Sequence, residues 1–102
     1  MFVNKSFGTI LTENGHRLCI RIQNTMTGTS RLAVVPEGLI TMKQVKAFCA
    51  GEMVQSAFPS LNSYEREYIL SGMNQAEQDR YYGASPDGTS IRFDVHDRSD
   101  LR

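Results

Sequence analysis

The chain has 102 residues, with 11 Lys plus Arg against 11 Asp plus Glu, and 40% of its residues are hydrophobic. That is the length of one domain; zero formal charge gives no long-range pull toward phosphate, and no apolar run approaches the ~20 residues that cross a bilayer. The expectation is a single soluble domain over residues 1–102, with no membrane partner, and the start Met1-Phe2-Val3-Asn4-Lys5 lacks the charged and apolar blocks of a secretory signal, so a cytoplasmic setting is the default.

The first third reads as antiparallel sheet, with strands within residues 2–35. Asn14-Gly15 is the preferred pair for a two-residue type I′ hairpin, because both central positions need positive φ. That turn sets Glu13 opposite His16, Leu11 opposite Leu18, Thr9 opposite Ile20 and Phe7 opposite Ile22. One face then collects Phe7, Leu11, Leu18, Ile20 and Ile22, while the other pairs Thr12 with Arg17 and Gly8 with Arg21. Asn24 to Gly28 is a second turn, and Thr29 to Val35 a third strand halted by Pro36 and Gly38.

A long helix is predicted over about 42–58. Thr41 and Gln44 form its capping box, and Met42, Val45, Phe48, Cys49, Met53 and Ala57 recur at three and four residue steps. Gly51 inside it signals close approach to the sheet. Cys19 and Cys49, on strand and helix, read as two small buried hydrophobes rather than a disulfide.

Over about 63–82 the chain repeats one helix signature: Asn62-x-x-Glu65 closing at Gly72, then Asn74-x-x-Glu77 closing at Gly83. Each Asn can cap free backbone N–H groups, each Glu can reach back to its cap, and each Gly can take the positive φ that ends a helix. After the turn Ala84 to Gly88, Ile91, Phe93 and Val95 alternate with Arg92, Asp94 and His96, a final strand at about 89–96. Residues 97–102 form a polar tail. The architecture expected is α+β and two-layered: a mainly antiparallel sheet of about four strands, one long helix and a short helical hairpin.

The helix pair invites comparison with a DNA-reading helix-turn-helix, but Glu77 and Asp79 outnumber Arg80 on the would-be reading helix. His16, Cys19, Cys49 and His96 are the whole stock of soft metal ligands, and His16 and Cys19 point to opposite faces of a strand, so no metal and no cofactor are expected. Asp94, His96 and Asp97 read as a solvated strand end. No nucleophile with its base, no phosphate loop and no nucleophile elbow is present, so the chain reads as a non-enzyme.

All four tyrosines, Tyr64, Tyr68, Tyr81 and Tyr82, fall in the helix pair beside Arg66 and Arg80. Tyr and Arg dominate binding hot spots, so these six residues are the candidate contact surface for a protein partner or a second copy of the chain. Tyr81 and Tyr82 are adjacent and cannot both enter one core, so at least one is exposed. The alternative is nucleic-acid binding through the helix pair or through Arg17 and Arg21 on the outward sheet face.

The run Tyr64-Glu65-Arg66-Glu67-Tyr68-Ile69-Leu70-Ser71-Gly72-Met73, followed by Glu77 and Tyr82-Gly83, resembles a segment seen in short uncharacterised proteins carried by bacteriophages and mobile elements. The resemblance covers about a fifth of the chain and transfers no catalytic residue. It implies a small accessory protein of a class in which many members bind host or viral proteins; inhibition of a host-defence complex is one form of that activity.

Overall fold

The computed structural model describes residues 3–24, 28–84 and 89–97. Four strands, β1 (Val3–Thr12), β2 (Gly15–Asn24), β3 (Thr29–Val34) and β4 (Asp94–Asp97), form one antiparallel sheet in the order β1-β2-β3-β4. Four helices, α1 (Met42–Cys49), α2 (Val54–Ala57), α3 (Ser63–Ser71) and α4 (Gln75–Tyr82), lie between β3 and β4 in the chain. The α+β class with a four-stranded antiparallel sheet is as the residue pattern predicts.

The first hairpin turns at Glu13-Asn14, one residue earlier than Asn14-Gly15, so every cross-strand partner moves by two. Thr12 faces Gly15, Leu11 faces His16, Thr9 faces Leu18 and Phe7 faces Ile20. Among the described residues only glycines have positive φ, so Asn14 cannot serve in a type I′ turn; Gly15 takes φ +99° and sits after the turn, not inside it. The Thr12 hydroxyl donates to the Gly15 carbonyl at 2.7 Å and accepts from the Asn14 N–H at 3.2 Å, which fixes the reversal. A shift of two leaves each side chain on its expected face.

That face makes the core. Ile20 and Ile22 of β2 and Ala33 of β3, with Val35 beyond it, pack against Val45, Val54, Ala57, Phe58, Leu61, Tyr68 and Ile69 from the helical region and Phe93 from the approach to β4. Phe7, Phe48 and Phe58 stack at centroid distances of 5.5 to 6.3 Å. Leu11, beyond the end of this core, is exposed.

The long helix over 42–58 is broken. α1 stops at Cys49, Gly51 takes φ +109°, and Met53 is extended before α2 begins. A Cβ on Gly51 would meet nothing within 4 Å, so the glycine supplies the positive φ that ends α1 rather than a close approach to the sheet. Part of the expected apolar stripe faces outward: Val45 and Ala57 are buried, whereas Met42 and Cys49 of α1, and Met53 in the break, are exposed. Cys49 is therefore not the buried hydrophobe expected of it, while Cys19 is buried; both are free thiols.

The last strand also starts later than its alternation suggests. At Arg92 and Ile91 the backbone N–H groups donate to Glu65 and Gln75 side chains, at 2.8 and 2.9 Å, so ladder pairing begins only at Asp94. Asp97, assigned to the tail, ends the strand opposite Arg31. No helix among the described residues is long and apolar enough to cross a membrane.

Candidate functional site

The doubled signature folds as written. Asn62 Oδ1 accepts from the Glu65 N–H at 3.0 Å and the Glu65 carboxylate accepts from the Asn62 N–H at 2.9 Å; Asn74 and Glu77 repeat both bonds at 2.9 Å. Gly72 closes α3 in the left-handed region, φ +78°, and Gly83 closes α4 at φ +86°. Thr41 and Gln44 box α1 in the same way.

Each capping glutamate is also gripped by an arginine from the sheet side, a pairing with no counterpart in the repeated signature itself. Glu65 is 0% exposed and accepts from Arg92 Nε, Nη2 and the backbone N–H, all at 2.8 Å. Glu77 accepts from Arg31 Nη1 and Nη2, while Arg31 Nε donates to Asp97 at 2.7 Å and Nη1 to the Gly72 carbonyl at 2.8 Å. Arg31 lies opposite Ile22, on the core-facing side of the sheet, and is itself buried. An arginine among apolar neighbours requires an acid there, and that register position was the one signal from which its role was legible.

Burial alone would push the Glu65 carboxyl up, but the bonds from Arg92 and the backbone N–H groups outweigh it and hold it below the ordinary value. For Glu77 the hydrogen bond from Arg31 dominates, with the same result. Both carboxyls thus hold a proton less readily folded than unfolded. Their contribution to stability is full above the unfolded value of about 4.3 and is lost as pH falls through the lower folded values. Urea midpoints at pH 7, 5, 4 and 3 should drop across the acid side, and Glu77→Gln should flatten that slope; a midpoint indifferent to pH would contradict the assignment.

The tyrosines divide. Tyr64 is buried and donates to Asp79, and Tyr68 is 0% exposed beside Phe93, at a ring-centroid distance of 5.8 Å. Neither can present its ring to a partner, which corrects their place in the candidate surface: α3 is set so that these two rings, a turn apart, form its core-facing stripe. The Tyr68 hydroxyl makes no hydrogen bond to a described residue, and burial pushes its pKa up. Tyr68→Phe should accordingly leave stability unchanged or raise it by up to ~1 kcal/mol in urea unfolding; a marked loss would reveal a partner for the hydroxyl.

Tyr81 and Tyr82 are 76% and 60% exposed, with ring centroids 4.9 Å apart and an interplanar angle of 75°. Tyr82 Oη donates to Glu67 at 3.3 Å. Arg80 is exposed just before them, while Arg66 is half-buried and donates to the Leu61 carbonyl at 3.1 Å. Gln78 anchors α4 beneath, its amide donating to the carbonyls of Tyr64 and Met73 at 2.9 and 3.0 Å. The structure thus brings Arg80, Tyr81 and Tyr82 together outside and takes Tyr64 and Tyr68 inside.

Beside this corner a groove of about 370 Å³ opens between the paired positions Asn24 and Thr29 of β2 and β3 and the α3–α4 turn, walled by Ile22, Gly72, Met73, Glu77, Arg80 and Tyr81 among others. On the other sheet face Arg21 is exposed, whereas Arg17 donates to the His16 carbonyl at 2.9 Å and stands 3.7 Å from Glu37. Asp94 and His96 pair with each other at 2.9 Å in solvent. Among the described residues no three His, Cys, Asp or Glu side chains are placed to hold a metal ion. Compared with family models, with curated proteins and with solved structures, the chain matches none of them.

Proposed function

We propose that this chain is a non-enzymatic protein-binding module, a small phage-type accessory protein of the cytoplasm that acts by binding a host or viral protein. Its contact surface is the corner formed by Arg80, Tyr81 and Tyr82. The observation that carries the reading is the exposed edge-to-face tyrosine pair at the end of a helix whose other end is clamped by Arg31. Rigid aromatic rings with polar tips lose little entropy on docking, and a neighbouring arginine adds charged hydrogen bonds.

Inhibition of a host-defence complex is one form such binding takes, and a second copy of the chain is the competing occupant of the same surface. Nucleic-acid binding has less support, since α4 carries Glu77 and Asp79 and Arg17 is engaged with its own neighbours.

The test is a Tyr81→Ala/Tyr82→Ala chain compared with the unaltered one in affinity purification from bacterial extract and in sedimentation over a range of concentrations. Both side chains lie outside the core, so stability should stay within about 0.5 kcal/mol. Partner recovery, or the mass of a self-associated form, should fall about ten-fold or more. Retention of every bound protein and of the same mass would sink the proposed surface.

A further inference from the structure

The groove beside the tyrosine corner has the size and lining of a ligand site. Its volume of about 370 Å³ falls within the usual range for small-molecule pockets, and the surface it exposes is mainly apolar, although polar or charged residues supply six of its ten lining positions. Ile22, 3% exposed, lies at the bottom, and Gly72 leaves the approach open because it has no side chain. Met73 and Tyr81 form apolar walls, while the Ser71 hydroxyl beside them is engaged, donating to the Glu67 carbonyl at 2.9 Å and accepting from the Met73 N–H at 3.3 Å. Methionine adapts its shape to what it meets, so this wall accepts either a ring or a chain.

Charge then narrows the chemistry. The lining carries two guanidinium groups and one carboxylate: Arg31, Arg80 and Glu77. Arg31 is committed to the fold, with four of its five N–H donors given to Asp97, Glu77 and the Gly72 carbonyl. Those same bonds hold Glu77, which also caps α4. Arg80 is exposed and feels the Glu77 carboxylate at a distance, but it makes no hydrogen bond or ion pair within 4 Å among the described residues, so the groove offers one cation at its rim with its N–H donors unused there.

We propose that this groove binds an amphipathic organic anion, whose apolar ring or chain rests on Ile22 and Met73 while its single acidic group meets the Arg80 guanidinium. One acid is the match because only Arg80 keeps its donors unused among the described residues; a second acid would face Glu77. The site is separate from the question of a protein partner, although a ligand here would lie against Tyr81 and so share an edge with the surface proposed above.

The probe is 1-anilinonaphthalene-8-sulfonate, set against N-phenyl-1-naphthylamine, which has the same rings without the acid. Titrations followed by fluorescence, with amide shifts in nitrogen-15 spectra to locate the site, should show one sulfonate probe per chain and shifts centred on Gly72, Met73 and Tyr81. The sulfonate should bind about ten-fold more tightly than the neutral amine, the scale of one charge-assisted contact. Arg80→Gln should abolish that difference, and Met73→Trp, which fills the groove, should remove binding of both probes. Should Met73→Trp fail to fold, the Arg80→Gln comparison and the shift map decide alone. Absence of saturable binding, shifts centred elsewhere, or equal affinity for the two probes would overturn the proposal.

Discussion

Replacing Gly72 by Ala should lower stability by about 2–5 kcal/mol, the sum of a left-handed backbone penalty of ~1–2 kcal/mol and an overpacking cost of ~1–3 kcal/mol. Gly72 closes α3 at φ +78°, and a Cβ there would stand 2.6 Å from Ile22 Cγ2, a separation that requires something to move. Ile22 is a buried side chain of the central strand pair, so it has little room to yield. The same backbone also presents its carbonyl to Arg31 at 2.8 Å, so displacement of the turn would loosen the arginine that holds α4. Gly38→Ala is the control. Gly38 has φ +81° with nothing within 4 Å of a Cβ, so it should show the backbone penalty alone. Urea unfolding of the two variants separates strain from collision, and equal losses would mean that Ile22 gives way freely.

Glu65→Gln is the second large effect, with an expected loss of about 2–3 kcal/mol at neutral pH, the scale of buried hydrogen bonds to a charged group. The amide keeps the volume and one acceptor oxygen. It loses the charge that Arg92 addresses through Nε and Nη2, and it turns an N–H₂ toward donors that need an acceptor. The Arg92 guanidinium is half exposed and can turn to water, which keeps the cost below that of a fully enclosed pair. Its backbone N–H and that of Asn62 have no such freedom. A double-mutant cycle with Arg92→Gln should give a coupling of roughly 0.5–3 kcal/mol. Glu52→Gln, on an exposed residue, should be neutral. A neutral Glu65→Gln would show that the capping box does not need the charge that Arg92 addresses.

What could be read from the residues differs from element to element for physical reasons. The three capping boxes follow from spacings of three, because a helix brings those side chains and N–H groups together without help from elsewhere. Strand faces were legible too, since a period of two survives even a hairpin whose register moves by two residues. The break between α1 and α2 was not: Gly51 and the residues around it satisfy helical spacing, and only tertiary packing chooses between one long helix and two short ones. Tyr64 and Tyr68 carry the same ambiguity, as their one-turn spacing describes a buried stripe as well as an exposed one, whereas the adjacency of Tyr81 and Tyr82 correctly placed one ring or more outside. The Arg31 and Arg92 pairings join residues far apart in sequence and depend on the assembled fold. Their local surroundings, a strand and a strand approach, gave no sign of which acid each would meet.

The arginine clamps also bear on the order in which the fold can be completed. Helices of eight or nine residues are marginal by themselves, and α3 and α4 have few apolar contacts of their own to offset nucleation. The bonds that secure their first turns span 27 residues from Glu65 to Arg92 and 46 from Arg31 to Glu77, and the link from Arg31 to Asp97 spans 66. Closure of such long loops is unfavourable until the sheet that carries Arg31, and the strand approach that carries Arg92, are in place. During synthesis Arg31 is available before α4 exists, but Arg92 follows α3 by more than the whole length of the helical pair. The amino-terminal end of α3 must therefore wait, uncapped on its sheet side, for the last strand to arrive, and the chain should gain α3, α4 and its fourth strand in one cooperative step.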